Sequence, residues 1–440
     1  MRLGVAQAVV GGTIVPGDVI VAGGRIAAVG VAPAGPAGTA VPGFVDLQVN
    51  GFAGVDFLTS DPADWRRAAR ALAATGVTAY RPTFISAPAD ALARGLAAAA
   101  VAGRDAGSGA GPSGGAMARS GANPGSGANP RSGANPGSSA NPRSGANPRS
   151  SANPRSGANP RSGAVAEAGA PRGRPLPRLL GVHLEGPFLS PRWPGAHPPE
   201  HLRAPDLSLV DDLRAVGPIA HMTLAPELPG ALELVTALTA RAITVALGHT
   251  DADAATCHAA FDRGARALTH IHNAHRRFAA RDPGPAGAAL VHPGVTVTAI
   301  LDGHHLAPET AAIAWRAAGL RFALVSDAIA AARPGGDPDR PEAASLAGRM
   351  VAVGPAGDPR LPDGRLAGST LTMDAALRNL IGAGATLPEA VHAATRAPAL
   401  LAGRPDLGLI AVGAPADIAV LDESLDVRRV FVSGREAAAV

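Results

Sequence analysis

From residue 41 onward, short apolar runs alternate with longer amphipathic stretches. That alternation predicts a parallel sheet wound with helices. The apolar runs fall at 41–49, 76–83, 179–184, 221–225, 242–247, 267–271, 296–301 and 322–325. Eight such runs match the strand count of a (β/α)8 barrel. The 3.6-residue period predicts helices over 61–74 and 90–102. Ser60 reads as the N-cap of the first, with Pro62 in a turn that tolerates its missing N–H. Short strands separated by Gly pairs are predicted at 8–10, 18–21 and 25–29, and β character returns from about 396, at 417–421 and 428–432. The two chain ends are expected to pair. The fold class is therefore α/β: a TIM-like (β/α)8 barrel over 42–395, plus a small β-sandwich domain built from 1–41 and 396–440.

One segment breaks the pattern. Residues 103–175 hold seven consecutive hexapeptides, from Ser120 to Arg161, of the form Ser-Gly/Ser-Ala-Asn-Pro-Arg/Gly. With almost no apolar side chains, such a repeat cannot bury a core, so it is expected to be a disordered insert. A repeat expansion in a surface loop is the favoured reading, because long loop insertions add little closure entropy. A basic tether for an acidic surface is the alternative.

Several apolar runs end on side chains that carry chemistry. The run at 179–184 stops on Glu185, because Gly186-Pro187 follows and Pro cannot donate to a ladder. The next runs end on His249, in Gly248-His249-Thr250, on His270, in Thr269-His270, and on Asp327, in Ser326-Asp327-Ala328. Closing the barrel brings such strand tips around one mouth. One Glu and two His form a three-ligand shell with an open position for water. An unpaired Asp beside it can take the water's proton and pass it on.

Composition narrows the chemistry. No lysine occurs anywhere in the chain, which removes a Walker lysine, a Schiff base and a carbamylated lysine bridging two metals. The single cysteine, Cys257, allows no internal disulfide and suits a reducing compartment. The first residues read as strand rather than secretory leader, and no apolar run is long enough to span a membrane, so a cytoplasmic location is expected. The net charge is +4, yet residues 103–175 alone carry nine Arg and two acids. The rest of the chain is thus mildly acidic, and nucleic acid is not an expected partner.

These motifs resemble a known family. Val41-Pro42-Gly43-Phe44-Val45-Asp46 and Gly413-Ala414-Pro415-Ala416-Asp417 resemble the amidohydrolase superfamily. Within it, His183-Leu184-Glu185-Gly186-Pro187-Phe188, Gly248-His249-Thr250, Thr269-His270 with Asn273-Ala274, Asp302-Gly303, Ser326-Asp327-Ala328 and 367–373 resemble the N-acetylglucosamine-6-phosphate deacetylases. The resemblance covers nearly the whole chain except 103–175. It implies hydrolysis of the N-acetyl amide of a 6-phosphorylated amino sugar, with one divalent metal ion per subunit. It also implies Glu185, His249 and His270 as metal ligands and Asp327 as the base that becomes the acid. His197 would polarise the substrate carbonyl. Asn273, the backbone at Ala274, and His305 would hold the phosphate, and Arg281 would reach it across a homodimer interface.

The chain departs from the superfamily after the first strand. Where His-x-His is common, it reads Gln48-Val49-Asn50. Neither amide is a good ligand for a second transition metal, so a mononuclear site is expected, with zinc or ferrous iron equally suited. His183 and His272 lie two residues from Glu185 and His270, but core or supporting roles are favoured for them. His305 rather than His304 is expected at the mouth. His275 stands where the family usually has an apolar residue. The rival readings are the same reaction on the galactosamine epimer, hydrolysis of an unphosphorylated amide, and a non-catalytic interaction protein.

Overall fold

The structure is a computed structural model and describes residues 1–105, 173–336 and 341–439. The repeat lies outside them. Eight parallel strands form the barrel: Phe44–Val49, Val77–Phe84, Val182–Glu185, Ile219–Leu224, Thr244–Leu247, Ala267–Leu268, Thr296–Ala299 and Phe322–Leu324. Each pairs in parallel with the next. The circle closes just beyond the last strand, where the Asp327 N–H donates to the Gln48 carbonyl at 2.8 Å and the Asn50 N–H to that of Ala328 at 2.7 Å.

The strands are shorter than the apolar runs that announce them. Gly181, at φ +79°, splits the third run into Arg178–Leu179 and Val182–Glu185. The run at 267–271 yields a ladder only over Ala267–Leu268. Its last residues turn inward instead, where a side chain serves the site and not the sheet.

A helix follows each strand and covers it. Pro62–Ala74 shows why: Trp65, Ala68, Ala69, Leu72 and Ala73 are buried, which is one face of a 3.6-residue period. Its N-cap is Asp61 rather than Ser60. The Asp61 carboxylate accepts from the N–H groups of Ala63 and Asp64 at 2.8 and 3.1 Å. A carboxylate there both fills orphan donors and meets the positive helix end, which a hydroxyl one residue earlier cannot do.

The chain ends meet in one six-stranded sheet. Thr39–Pro42, next to Gln7–Val10, runs antiparallel to Ile418–Leu421, with Val427–Val432 and Arg435–Ala439 beyond. The hairpin of Asp18–Ala22 and Arg25–Val31 packs over it around Val19, Val21, Ile26, Ile418 and Phe431. The residues just after 396 are helical, Arg396–Leu401, and β character returns only at Ile418.

A third small sheet was not foreseen. Ala343–Leu346, Arg349–Val353 and Pro359–Arg360 form an antiparallel flap after the eighth strand. Its apolar side, including Leu346 and Val351, packs on Ile85, Ile329 and Ala367 beside the barrel mouth.

Candidate active site

Glu185, His249, His270 and Asp327 converge at the C-terminal end of the barrel and line one pocket of about 490 Å³. That volume suits a small ligand. Three of the four sit in backbone geometry that L-residues avoid: φ is +50° at His249, +29° at His270 and +49° at Asp327. A left-handed residue cannot continue a ladder, so each strand ends there and its side chain swings toward the barrel axis. Strain of this kind costs about 1–3 kcal/mol per residue and clusters at functional sites.

Glu185 is the hub. Its Oε1 lies 2.9 Å from His270 Nε2, 3.3 Å from His249 Nε2 and 2.9 Å from Gln48 Nε2. Its Oε2 lies 3.6 Å from His197 Nε2. Burial pushes this carboxyl upward, but the three histidine rings gathered around it outweigh burial and hold Glu185 well below the usual carboxylate range. Asp327 behaves oppositely. Burial, and then the charge of Glu185, push its carboxyl well above the usual range.

Hydrogen bonds on the far side of each ring fix the tautomers. His249 Nδ1 lies 3.0 Å from the Trp193 carbonyl, which can only accept. The proton is therefore on Nδ1, and Nε2 offers a lone pair to the mouth. His197 has the reverse arrangement. The Ser86 backbone N–H donates to its Nδ1 at 3.1 Å. The His197 proton is therefore on Nε2, aimed at Glu185, and burial lowers its pKa to about 4, so the ring is neutral.

This bears on where a metal would bind. By proximity alone, donor atoms of Glu185, His197 and His249 lie within 4.8 Å of one another. Proximity does not distinguish a lone pair from an N–H. His197 presents an N–H, whereas His249 presents a lone pair. His270, with Nε2 on Glu185, completes a set of two imidazoles and one carboxylate. That donor chemistry fits a divalent zinc-type ion with an open position. Gly195, at φ +55°, lets the loop carrying His197 cross His249 closely: a Cβ there would lie 2.8 Å from His249 Cε1.

On the opposite wall, His305 donates from Nδ1 to Asp302 Oδ2 at 2.7 Å, which leaves Nε2 toward the pocket. His304 does not line the pocket, and its Nε2 faces the Ala356 carbonyl. Asn273 and Ala274 line the pocket. The Asn273 amide N–H groups go to the carbonyls of His270 and Ile271, so here it shapes the turn. The Ala274 N–H has no partner among the described residues. Arg281 is exposed and outside the pocket. Arg277, four residues earlier, is the arginine of that loop that lines it.

His183 is held between Thr83 and Thr223 and stacks on His221 with ring centroids 4.1 Å apart, so it belongs to the barrel core. His272 does not line the pocket. The residues missed from sequence are mostly partners of the catalytic groups. Gln48 and Asn50 both donate to Asp327, at 3.2 and 2.8 Å. The period of two along Gln48-Val49-Asn50 already places both amides on one face. Ser86, Arg277 and Arg365 had no such signal. Arg365 reaches from beyond the flap to the Gly195 carbonyl at 2.6 Å.

The amidohydrolase family profile matches residues 179–437. The chain belongs to the amidohydrolase family. It is similar to the N-acetylgalactosamine-6-phosphate deacetylase of Escherichia coli O157:H7, 37% identical over 270 residues, 60% of this chain and 70% of that one. It is also similar to the human N-acetylglucosamine-6-phosphate deacetylase, 37% identical over 284 residues, 61% of this chain and 66% of that one. Among solved structures, a mutant N-acetyl-D-glucosamine-6-phosphate deacetylase from Mycobacterium smegmatis, in complex with N-acetyl-D-glucosamine-6-phosphate, superposes with a TM-score of 0.78 at 28% identity, covering 100% of this chain and 99% of that one. The barrel of this amidohydrolase and its terminal β-domain agree with the fold expected from sequence.

Proposed function

We propose that this amidohydrolase hydrolyses the N-acetyl amide of N-acetylglucosamine 6-phosphate to glucosamine 6-phosphate and acetate. The observation that carries the reading is the division of tautomers around Glu185: His249 offers a lone pair and His197 offers an N–H. That division suits a metal-assisted attack on an amide. The relatives named above support the substrate class.

Glu185, His249 and His270 would hold one divalent ion, zinc or ferrous iron, which polarises the carbonyl and lowers the pKa of a water. Asp327 takes the water's proton. Oxygen adds to the acetyl carbon, and His197 Nε2–H donates to the carbonyl oxygen as charge builds there. The C–N bond then breaks, and Asp327 returns its proton to the departing amine. Its raised pKa suits both duties. The Ala274 N–H, His305 and Arg277 face the same pocket and supply phosphate donors. Arg281, on an exposed loop, is positioned to serve a second copy of the chain, so we read the working unit as a homodimer. Among the described residues no helix is long and apolar enough to cross a membrane. A phosphorylated sugar substrate points to the cytoplasm.

The Escherichia coli relative favours a second reading, the galactosamine epimer of the same substrate. Acetate release from both 6-phosphates, beside N-acetylglucosamine, tests the proposal. Turnover of a 6-phosphate that a chelator stops and added metal restores is expected, and the faster epimer names the substrate. Equal turnover of the unphosphorylated sugar would contradict the phosphate assignment.

A further inference from the structure

His270 raises a question that His249 does not. For its Nε2 to carry a lone pair, its proton must sit on Nδ1 and find an acceptor there. His249 has the Trp193 carbonyl for this purpose. His270 Nδ1 is buried and has no hydrogen-bond partner on another of the described residues.

The neighbouring ring has the complementary vacancy. His275 is 2% exposed, with its ring centroid 5.7 Å from that of His270 and the planes 31° apart. Its Nε2 lies 2.8 Å from the Thr269 carbonyl, which can only accept, so the proton of this neutral ring is on Nε2. His275 Nδ1 is therefore an acceptor, and it too is buried without a partner among the described residues. With His270 Nε2 given to an ion, a donor lacking an acceptor and an acceptor lacking a donor lie on adjacent buried rings. Buried polar groups are rarely left so.

His275 is also built into both ligand segments. Its ring is tied to Thr269, the residue before His270. Its backbone bridges Thr250, the residue after His249, and the next N–H, of Arg276, donates to the Thr250 carbonyl at 2.8 Å.

We propose that His275 is a positioning residue for the metal centre: its Nδ1 accepts the Nδ1–H of His270, by a small ring rotation or through one bridging water, and so fixes the tautomer that presents His270 Nε2 to the ion. The inference rests on the metal-site reading above.

Three variants separate this duty from packing. His275→Met fills the volume and offers no comparable acceptor. His275→Gln keeps a group near Nε2 for the Thr269 carbonyl but loses the acceptor near Nδ1. His275→Asn keeps an acceptor near Nδ1 and loses the bond to Thr269. Zinc affinity is measured by competition with a chromophoric chelator, with thermal unfolding of the metal-free proteins alongside. Loss of such an orienting partner weakens metal binding about 10- to 100-fold. That loss is expected for Met and Gln, with Asn within about 3-fold of the parent by the same argument. Unchanged affinity in the Gln and Met variants would overturn the role of His275. So would equal losses in all three that follow a fall in metal-free stability. Absence of tight zinc binding by the parent chain would instead overturn the metal-site reading itself.

Discussion

Asn50 donates its side-chain N–H to Asp327 Oδ1 at 2.8 Å. A carboxylate only accepts, so the amide nitrogen must face it. Gln48 adds a second N–H to the same oxygen at 3.2 Å and also donates to Glu185. Gln48 thus stands between the two carboxylates as a neutral donor, and Asn50 anchors Asp327 beside it. Such an arrangement would suit a site holding one metal ion. Asn50→Ala is expected to leave zinc content unchanged and lower kcat about 10-fold or more, because Asp327 loses its closest anchor. Steady-state kinetics with metal analysis checks this.

The tautomer argument separates His197 from His249. His197→Ala should keep zinc bound while kcat falls about 10²- to 10³-fold, the usual effect of removing one donor to a developing oxyanion. His249→Ala should lose the metal. Zinc content measured on both purified variants decides between this assignment and one in which His197 is the ligand.

Asp46 gives a pH dependence with a definite sign. It is fully buried and accepts from Ser326 Oγ and from the N–H groups of Ser326 and Gln48. Burial nevertheless pushes its carboxyl up to about 6 from 3.8. The folded state therefore binds this proton more tightly than the unfolded chain. Its stabilising effect is complete below about pH 4 and is lost as pH rises through about 6, a change of up to about 3 kcal/mol. Asp46→Asn removes the titration and can keep the same contacts. Thermal unfolding of the two proteins between pH 4 and pH 7 should show the Asn variant gaining steadily on the parent.

Much of the site was legible because strand tips are constrained. Glu185, His249, His270 and Asp327 each follow an apolar run, and barrel closure leaves them one place to meet. What escaped has a physical reason. The flap at 343–360 consists of strands two to five residues long around Gly354, Pro355 and Gly357, too short for a period. Ser86 acts through its backbone N–H and its hydroxyl, both on His197 Nδ1, and neither group is marked by any period in the sequence. Asp61 and Ser60 are both good caps, and only the helix start decides between them.

Arg281, expected to act across a dimer interface, is exposed, and within one chain Arg277, which the sequence did not single out, lines the pocket. Arg277→Ala should raise KM for the 6-phosphate about 10-fold with little effect on kcat/KM for the unphosphorylated sugar, because only the charged donor to phosphate is removed. Kinetics on the paired substrates reads this directly.

The most direct test of the account compares metal-dependent acetate release from N-acetylglucosamine 6-phosphate by the parent chain and by Asp327→Asn, both loaded with zinc to the same content. The Asn variant can bind substrate and metal but cannot take or return a proton. Its kcat should fall about 10²- to 10⁴-fold, while the parent turns over and is stopped by a chelator. An Asn variant as fast as the parent, or a zinc-loaded parent that releases no acetate, would contradict the central claim.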